Sequence, residues 1–364
     1  MKIAFYGSSL VSSYWNGAAT YYRGLLHALS RLGYDITFYE PNVYERQQHR
    51  DIDPPDWCRS VVFDGTIEAV KEVTAKASEA DIVVVTSGIG YEDDAIRKQA
   101  YDAAAPGALR IFWDVDAPAT LAELNANPQH PLHADLQRLD MVMTYGGGDP
   151  VVYGYRALGV AHCFPIYNAL DPETHHPVPP AARFAADLSF LGNRLPDREE
   201  RVDQFFFEAA RALPKRSFLL GGSGWGDKHM PDNVRYLGHV STRDHNALNV
   251  SATAVLNISR SSMAENGFSP ATRVFEAAGA GACLITDDWI GLDLFLRNGE
   301  EVLAARDGQE VAEILDRLTP EKAREIGRRA RERMLREHTY QHRADQADRI
   351  FRRFLGLERV EAAE

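Results

Sequence analysis

At 364 residues the chain exceeds the size at which a single core usually keeps growing, so two domains are expected. Its 45% hydrophobic and 25% charged content is that of an ordinary globular protein, and it holds no apolar run long enough to span a bilayer. A formal net charge of −12 argues against a general nucleic-acid binder, which needs a positive surface to displace counterions, yet leaves room for a small anionic ligand held by a helix N-terminus and one or two arginines.

The run from Met1 to Gly7 enters a strand directly, without the h-region of a signal peptide. Cys58, Cys163 and Cys283 are odd in number and far apart, which supports neither a disulfide framework nor a zinc site. A reducing cytoplasm is the expected location.

In chain order, "KIAFYG" (2–7) is a buried strand ending at a glycine. "AATYYRGLLHALSRLGY" (18–34) has helical spacing, with Tyr22, Leu25, Leu26 and Leu29 on one face and Gly33 as a stop. "DITFYEP" (35–41) is a second strand closed by Pro41, and a helical stretch (67–80) leads to the β-branched run "DIVVVTSG" (81–88). "ALRIFWDVDAP" (108–118) and "DMVMTYG" (140–146) keep the rhythm. Continuous apolar strands separated by helices indicate a parallel sheet covered on both faces.

Residues 164–187 are rich in proline and turn formers, as an interdomain connection should be. His175 and His176 lie in this stretch and are expected to be solvated rather than liganding, and no metal-ligand cluster is seen elsewhere. The alternation then restarts with "LSFLGN" (188–193), helix 198–212, "SFLLGGSG" (217–224), "VRYLGHV" (234–240), "TAVLNIS" (253–259), helix 270–280 and "ACLITDD" (282–288). The expected fold class is α/β, with two doubly wound parallel-sheet, Rossmann-like domains at 1–168 and 188–340. A linker at 169–187 joins them, and they are expected to face across a cleft.

The end of the chain, roughly 321–356, is helical and basic. Ala323, Ile326, Ala330 and Met334 mark one face, with Arg324, Arg328, Arg329, Arg331, Arg333 and Arg336 around the rest. One reading is a solvated helix packed by its narrow apolar stripe; the other is weak peripheral adhesion to an anionic membrane. Glu325, Glu332 and Glu337 dilute the basic face.

In open α/β sheets ligands sit at the carboxyl ends of the strands, so candidate residues should lie there. The loop "GSSLVSSYWNGAAT" (7–20) offers Ser9, Asn16 and Gly17, although it lacks the G-x-G-x-x-G of a dinucleotide site. It is either a flexible surface connection or a ligand contact. In "FWDVDAP", Asp114 and Asp116 point the same way if the strand continues. The pair could act as a general base or orient an acceptor hydroxyl, though an Asp-Ala-Pro turn already explains Asp116. In "FLGNRLPDREERV", Arg194 follows a strand directly and could grip a diphosphate bidentately; Arg198 reads equally as an exposed helix residue.

"GFSPATRVFEAAGAGACLITDD" (267–288) places Ser269 as a helix N-cap and Pro270 at the first helical position, leaving free backbone N–H groups for a phosphate. Arg273 and Glu276 then share one helix face. A carboxylate there can accept both hydroxyls of a ribose, or it can simply form an ion pair with Arg273.

These pieces, in this order, resemble the GT-B glycosyltransferases of the glycosyl transferases group 1 superfamily, and within it the CgeB-like branch, over about residues 1–345. The resemblance implies a sugar transferred from a nucleotide-diphosphate sugar, UDP- or GDP-linked, to an acceptor it does not identify. It implies no further cofactor and no metal, and retention of configuration. Glu276 matches the ribose-binding acid and Arg194 the basic residue that contacts the diphosphate. His239 and Val240 match the segment that receives the base. Gly222 and the loop Gly267, Phe268 and Ser269 fall on the same donor side, with Arg273 beside the diphosphate.

Asp114 and Arg194 are then the catalytic candidates, with Ser9, Asn16, Gly17 and Asp116 on the acceptor side, and helix 341–364 is expected to return to the first domain. Phe268 occupies the position of a further glutamate in the superfamily, so that acid's contacts to the donor sugar must come from elsewhere or from the backbone of 267–269. A sugar-nucleotide epimerase or hydrolase, a nicotinamide-dependent enzyme and a non-catalytic nucleotide-sugar binder are the alternatives.

Overall fold

The computed structural model describes residues 1–14 and 16–357; the last residues of the expected C-terminal helix, 358–364, fall outside this range. The chain divides into two compact units, Met1–Tyr167 with the segment from Tyr340 onward, and Asn168–Thr339.

The first unit is built on a seven-stranded sheet of β1 (Lys2–Tyr6), β2 (Asp35–Asn42), β3 (Arg59–Asp64), β4 (Ile82–Thr86), β5 (Leu109–Asp114), β6 (Met141–Thr144) and β7 (Cys163–Pro165). All pairs are parallel, in the order β3-β2-β1-β4-β5-β6-β7. Strands read from continuous apolar runs lie in the interior; β4 is buried at every position. The two edge strands, β3 and β7, carry no such run, and Pro165 closes β7 where a missing N–H costs nothing.

Helix Ala19–Arg31 buries Tyr21, Tyr22, Leu25, Leu26 and Leu29 on the sheet side. Helix Tyr340–Phe354 packs beside it. Gly24 allows this approach, because a Cβ there would stand 2.1 Å from the Tyr340 ring. The Tyr34 hydroxyl donates to Asp348 at 2.8 Å and Arg343 Nε to the Tyr167 carbonyl at 3.2 Å.

The second unit carries a six-stranded parallel sheet of β8 (Ala186–Leu191), β9 (Phe218–Gly221), β10 (Val234–Gly238), β11 (Ala252–Asn257), β12 (Leu284–Asp287) and β13 (Leu303–Ala305). Its order is β10-β9-β8-β11-β12-β13, so the strand sequence reverses between β8 and β11. Residues 169–187, expected as a connection, belong to this unit.

The reason lies on helix Thr272–Ala280, whose last turn is made of the small buried residues Ala277, Ala278, Gly279 and Ala280. A Cβ at Gly279 would meet Leu170 Cδ1 at 2.2 Å and the His175 carbonyl at 3.0 Å, so the absent side chain lets 170–175 lie directly on the helix. Helix Pro320–Glu337 approaches the same region through Gly327. Its arginines pair with glutamates of the same helix (Arg324–Glu321, Arg328–Glu332, Arg329–Glu325, Arg333–Glu337), so the face is mixed in sign rather than uniformly basic.

Candidate functional site

In the first unit the described part of the loop after β1 is folded on itself and under segment 44–52. Ser8, Ser9, Ser12 and Asn16 are all buried. Asn16 accepts from Ser8 Oγ at 2.9 Å and donates to the carbonyls of Ser9 and Ser12, while Ser9 Oγ accepts from the Ser12 N–H. Segment 44–52 lies over the loop: Ser12 Oγ donates to the His49 carbonyl, Tyr14 stacks on His49 at 4.1 Å, and Arg23 and Ser13 both hold Asp51. Ser9 and Asn16, expected on the acceptor side, are therefore the loop's own scaffold, and Gly17 alone of the three stays exposed.

The paired-carboxylate expectation also changes. β5 stops at Asp114, and Asp116 sits at the start of helix Ala117–Ala126, so the two do not continue one strand. Asp114 is wholly buried. Its Oδ1 accepts from Ser87 Oγ at 2.7 Å, Thr120 Oγ1 at 3.0 Å and the Asp116 N–H at 3.0 Å, and its Oδ2 accepts from the Tyr155 hydroxyl. Burial raises its pKa, and the hydrogen bonds from Tyr155, Ser87, Asp116 and Thr120 oppose the rise. The carboxyl ties β4, β5 and two helices together. That geometry is structural, with no oxygen left to face an acceptor.

In the second unit Arg194 follows β8, beside the point where the strand order reverses. Its guanidinium is gripped by both oxygens of Glu199, at 2.8 and 2.7 Å, and by Asp227 at 2.9 Å. Glu199 also accepts from Lys228 at 3.0 Å, and these two cations hold its carboxyl well down, at about 2. Arg194 is thus compensated by protein acids, against the expectation of a cation held ready for a diphosphate. Arg198, set aside from sequence, lies elsewhere: its guanidinium and that of Arg273 stand 5.8 and 5.6 Å from the Phe190 ring centroid.

Gly222 has a local explanation. With φ at +115°, a Cβ there would strike the Gly192 carbonyl at 2.2 Å, and its N–H donates to the Gly238 carbonyl at 2.7 Å. His239 is exposed and Val240 buried.

The 267–269 loop is tightly folded. The Gly267 N–H donates to the Met263 carbonyl and the Phe268 N–H to that of Ile290, so neither is free to serve a donor sugar as supposed. Phe268 adopts φ +49°, the left-handed region uncommon for an aromatic residue, with Gly291 making room for its ring. Ser269 is not the N-cap; that position is Ala271, without a side-chain cap, and the helix begins at Thr272. Ser269 Oγ is buried with no hydrogen-bond partner.

Arg273 and Glu276 share a helix face but form no ion pair within 4.0 Å, and among the described residues no acid pairs with Arg273. Burial lowers the Arg273 pKa, opposed by the nearby Glu276 charge. Glu276 keeps 18% of its side-chain surface, with the buried His175 Nε2 at 3.8 Å from Oε1. His245 faces the same group; burial lowers its pKa, Glu276 opposes that, and Arg273 and His175 reinforce it. The structure therefore gathers Arg273, Glu276, His175 and His245. The two histidines were missed because no local pattern marks them, and His175, expected in solvent, is buried.

Residues 198–349 match a family model described as glycosyl transferase-like. No curated protein matches the sequence. Among solved structures, sucrose-phosphate synthase from Thermosynechococcus elongatus is similar at TM-score 0.69 and 16% identity, over 98% of this chain and 100% of that one. Alr3699/HepE of Anabaena, in complex with UDP and glucose, is similar at TM-score 0.66 and 13% identity, over 96% and 99%. AviGT4, a glycosyltransferase involved in avilamycin A biosynthesis, reaches 0.61 at 18% identity over 98% of both chains. At such identities the likeness concerns architecture, and with the two doubly wound parallel sheets it shows that this chain has the GT-B fold.

Proposed function

We propose that this chain is a glycosyltransferase of the CgeB-like branch, moving a sugar from a UDP- or GDP-linked donor to an acceptor hydroxyl. The observation that carries the reading is Glu276, a partly exposed carboxylate that declines the ion pair available one turn away. It is free to accept both hydroxyls of a ribose. Arg273, with the uncapped start of helix Thr272–Ala280, supplies positive potential for the diphosphate. In the transfer the bond from sugar C1 to the phosphate oxygen breaks, one from C1 to the acceptor oxygen forms, and the acceptor hydroxyl's proton passes to the departing diphosphate. The fixed positive potential stabilises the charge that develops on the departing diphosphate. Structures of this fold hold UDP and UDP-glucose in HepE, which supports the donor class. We propose retention of the anomeric configuration, read from the product by NMR.

Calorimetry of the full chain against UDP, GDP, ADP and NAD tests the reading, followed by donor-hydrolysis and transfer assays. UDP or GDP should bind, and Glu276→Ala should weaken that binding about tenfold or more, as expected for a hydrogen bond to a charged group. Tight NAD binding without UDP or GDP, or a Glu276→Ala variant of unchanged affinity, would overturn it.

A further inference from the structure

Glu276 is useful to a ribose only if its carboxylate is held in one orientation, and its own helix neighbour does not hold it. Arg273 stands over the Phe190 ring, 5.6 Å from its centroid, and makes no ion pair with Glu276. The charged and titratable groups that do face Glu276 are Arg273, His245 and His175.

His175 is the one built into place. It stands in segment 170–175, which rests on the Glu276 helix because Gly279 has no side chain. The segment is fixed by its own turn: Asp171 accepts from the Glu173 N–H and Thr174 Oγ1, and the His175 N–H donates to the Asp171 carbonyl. Asn246 Nδ2 donates to the Thr174 carbonyl and so joins the His245 helix to the same turn.

The ring's two nitrogens have different surroundings. Nδ1 is buried with no partner among the described residues, while Nε2 lies 3.8 Å from Glu276 Oε1. A buried lone pair without a donor costs less than a buried N–H without an acceptor, so the proton belongs on Nε2. At 3.8 Å the pair is longer than a hydrogen bond, but rotation of the partly exposed Glu276 side chain closes the gap.

We infer that His175 is a positioning residue for nucleotide recognition. Its Nε2–H holds one carboxylate oxygen of Glu276 and thereby sets the orientation in which the carboxylate meets the ribose hydroxyls. This rests on the assignment of Glu276 to the ribose.

The test is a cycle between protein and ligand, reading UDP and 2′,3′-dideoxy-UDP affinity by calorimetry on the full chain. The wild type should prefer UDP, and Glu276→Ala should abolish that preference. His175→Phe, which keeps the ring volume without the donor, should cut the preference by about fivefold, the worth of an ordinary hydrogen bond, and leave dideoxy-UDP affinity unchanged. His175→Gln places an amide N–H near the Nε2 position and should restore the preference; His175→Asn reaches only the Nδ1 position and should not. If the phenylalanine variant does not fold, the Gln and Asn pair carries the same contrast. Full preference in His175→Phe or His175→Asn would overturn the inference, as would equal loss for both ligands, which marks a merely structural role. A wild type without preference, or Glu276→Ala that keeps it, would overturn the ribose assignment and the inference together; loss of preference in Glu276→Ala alone overturns only the inference.

Discussion

Asp114 separates a catalytic acid from a structural one, because its sequence context suggests the first and its surroundings the second. In Asp114→Ala four donors lose their acceptor at once: Ser87 Oγ, Thr120 Oγ1, the Asp116 N–H and the Tyr155 hydroxyl. An unsatisfied buried donor costs about 1–3 kcal/mol, and the four share one acceptor and some can turn elsewhere, so the net loss should be about 3–5 kcal/mol. The first unit takes in 1–167 and the segment from 340 onward, and at about 2–4 °C per kcal/mol for a unit of that size its melting temperature should fall by roughly 6–20 °C.

Asp114→Asn keeps an oxygen for the three Oδ1 bonds and should cost less. It should also remove a pH dependence of known sign. Burial raises the folded-state pKa of Asp114, so as pH rises the unfolded chain loses its proton first. The contribution of Asp114 is fully present below its unfolded pKa of about 3.9 and declines as pH climbs through the raised folded value. Differential scanning calorimetry of the wild type and both variants across pH measures all of this. An Asp114→Ala variant that melts like the wild type but has lost transfer activity would refute the structural assignment and restore the carboxylate as a base.

Three further outcomes are expected. Arg273→Ala should weaken UDP binding more than Arg194→Ala, whose cation is already compensated by Glu199 and Asp227; calorimetry decides the order. Gly327→Ala should lower the melting temperature, because its Cβ would stand 2.1 Å from the Gly281 carbonyl, and overpacking of about 1–3 kcal/mol outweighs the gain of about 1 kcal/mol in helix propensity. Gly24→Ala should release helix Tyr340–Phe354 from helix Ala19–Arg31, read as faster amide exchange over 340–354, because its Cβ would overlap the Tyr340 ring at 2.1 Å.

The interior strands were legible because a buried parallel strand must be apolar at every position, and "DIVVVTSG" or "KIAFYG" has no other good reading. Of the four edge strands only Val234–Gly238 was read; Arg59–Asp64, Cys163–Pro165 and Leu303–Ala305 were not, since a strand paired on one side needs neither length nor continuous apolarity. Side-chain assignments divide along a similar line. Glu276 could be singled out because an acid on a small-residue helix after a Ser-Pro start is a local anomaly.

Arg194 is neutralised chiefly by Glu199, five residues on in the same segment, and further by Asp227 from the loop after β9, while Lys228 from that loop shares Glu199. His175 was hidden more deeply. Its neighbours are prolines and turn formers, which signal solvent, yet Gly279 on a later helix makes the space that buries it. A residue's chemistry is written where it stands, but whether its charge or lone pair is already satisfied is decided by partners distant in sequence. For this site the decisive quantity is therefore the absence of an Arg273–Glu276 pair. The spacing permits that pair, yet the guanidinium stands over the Phe190 ring instead.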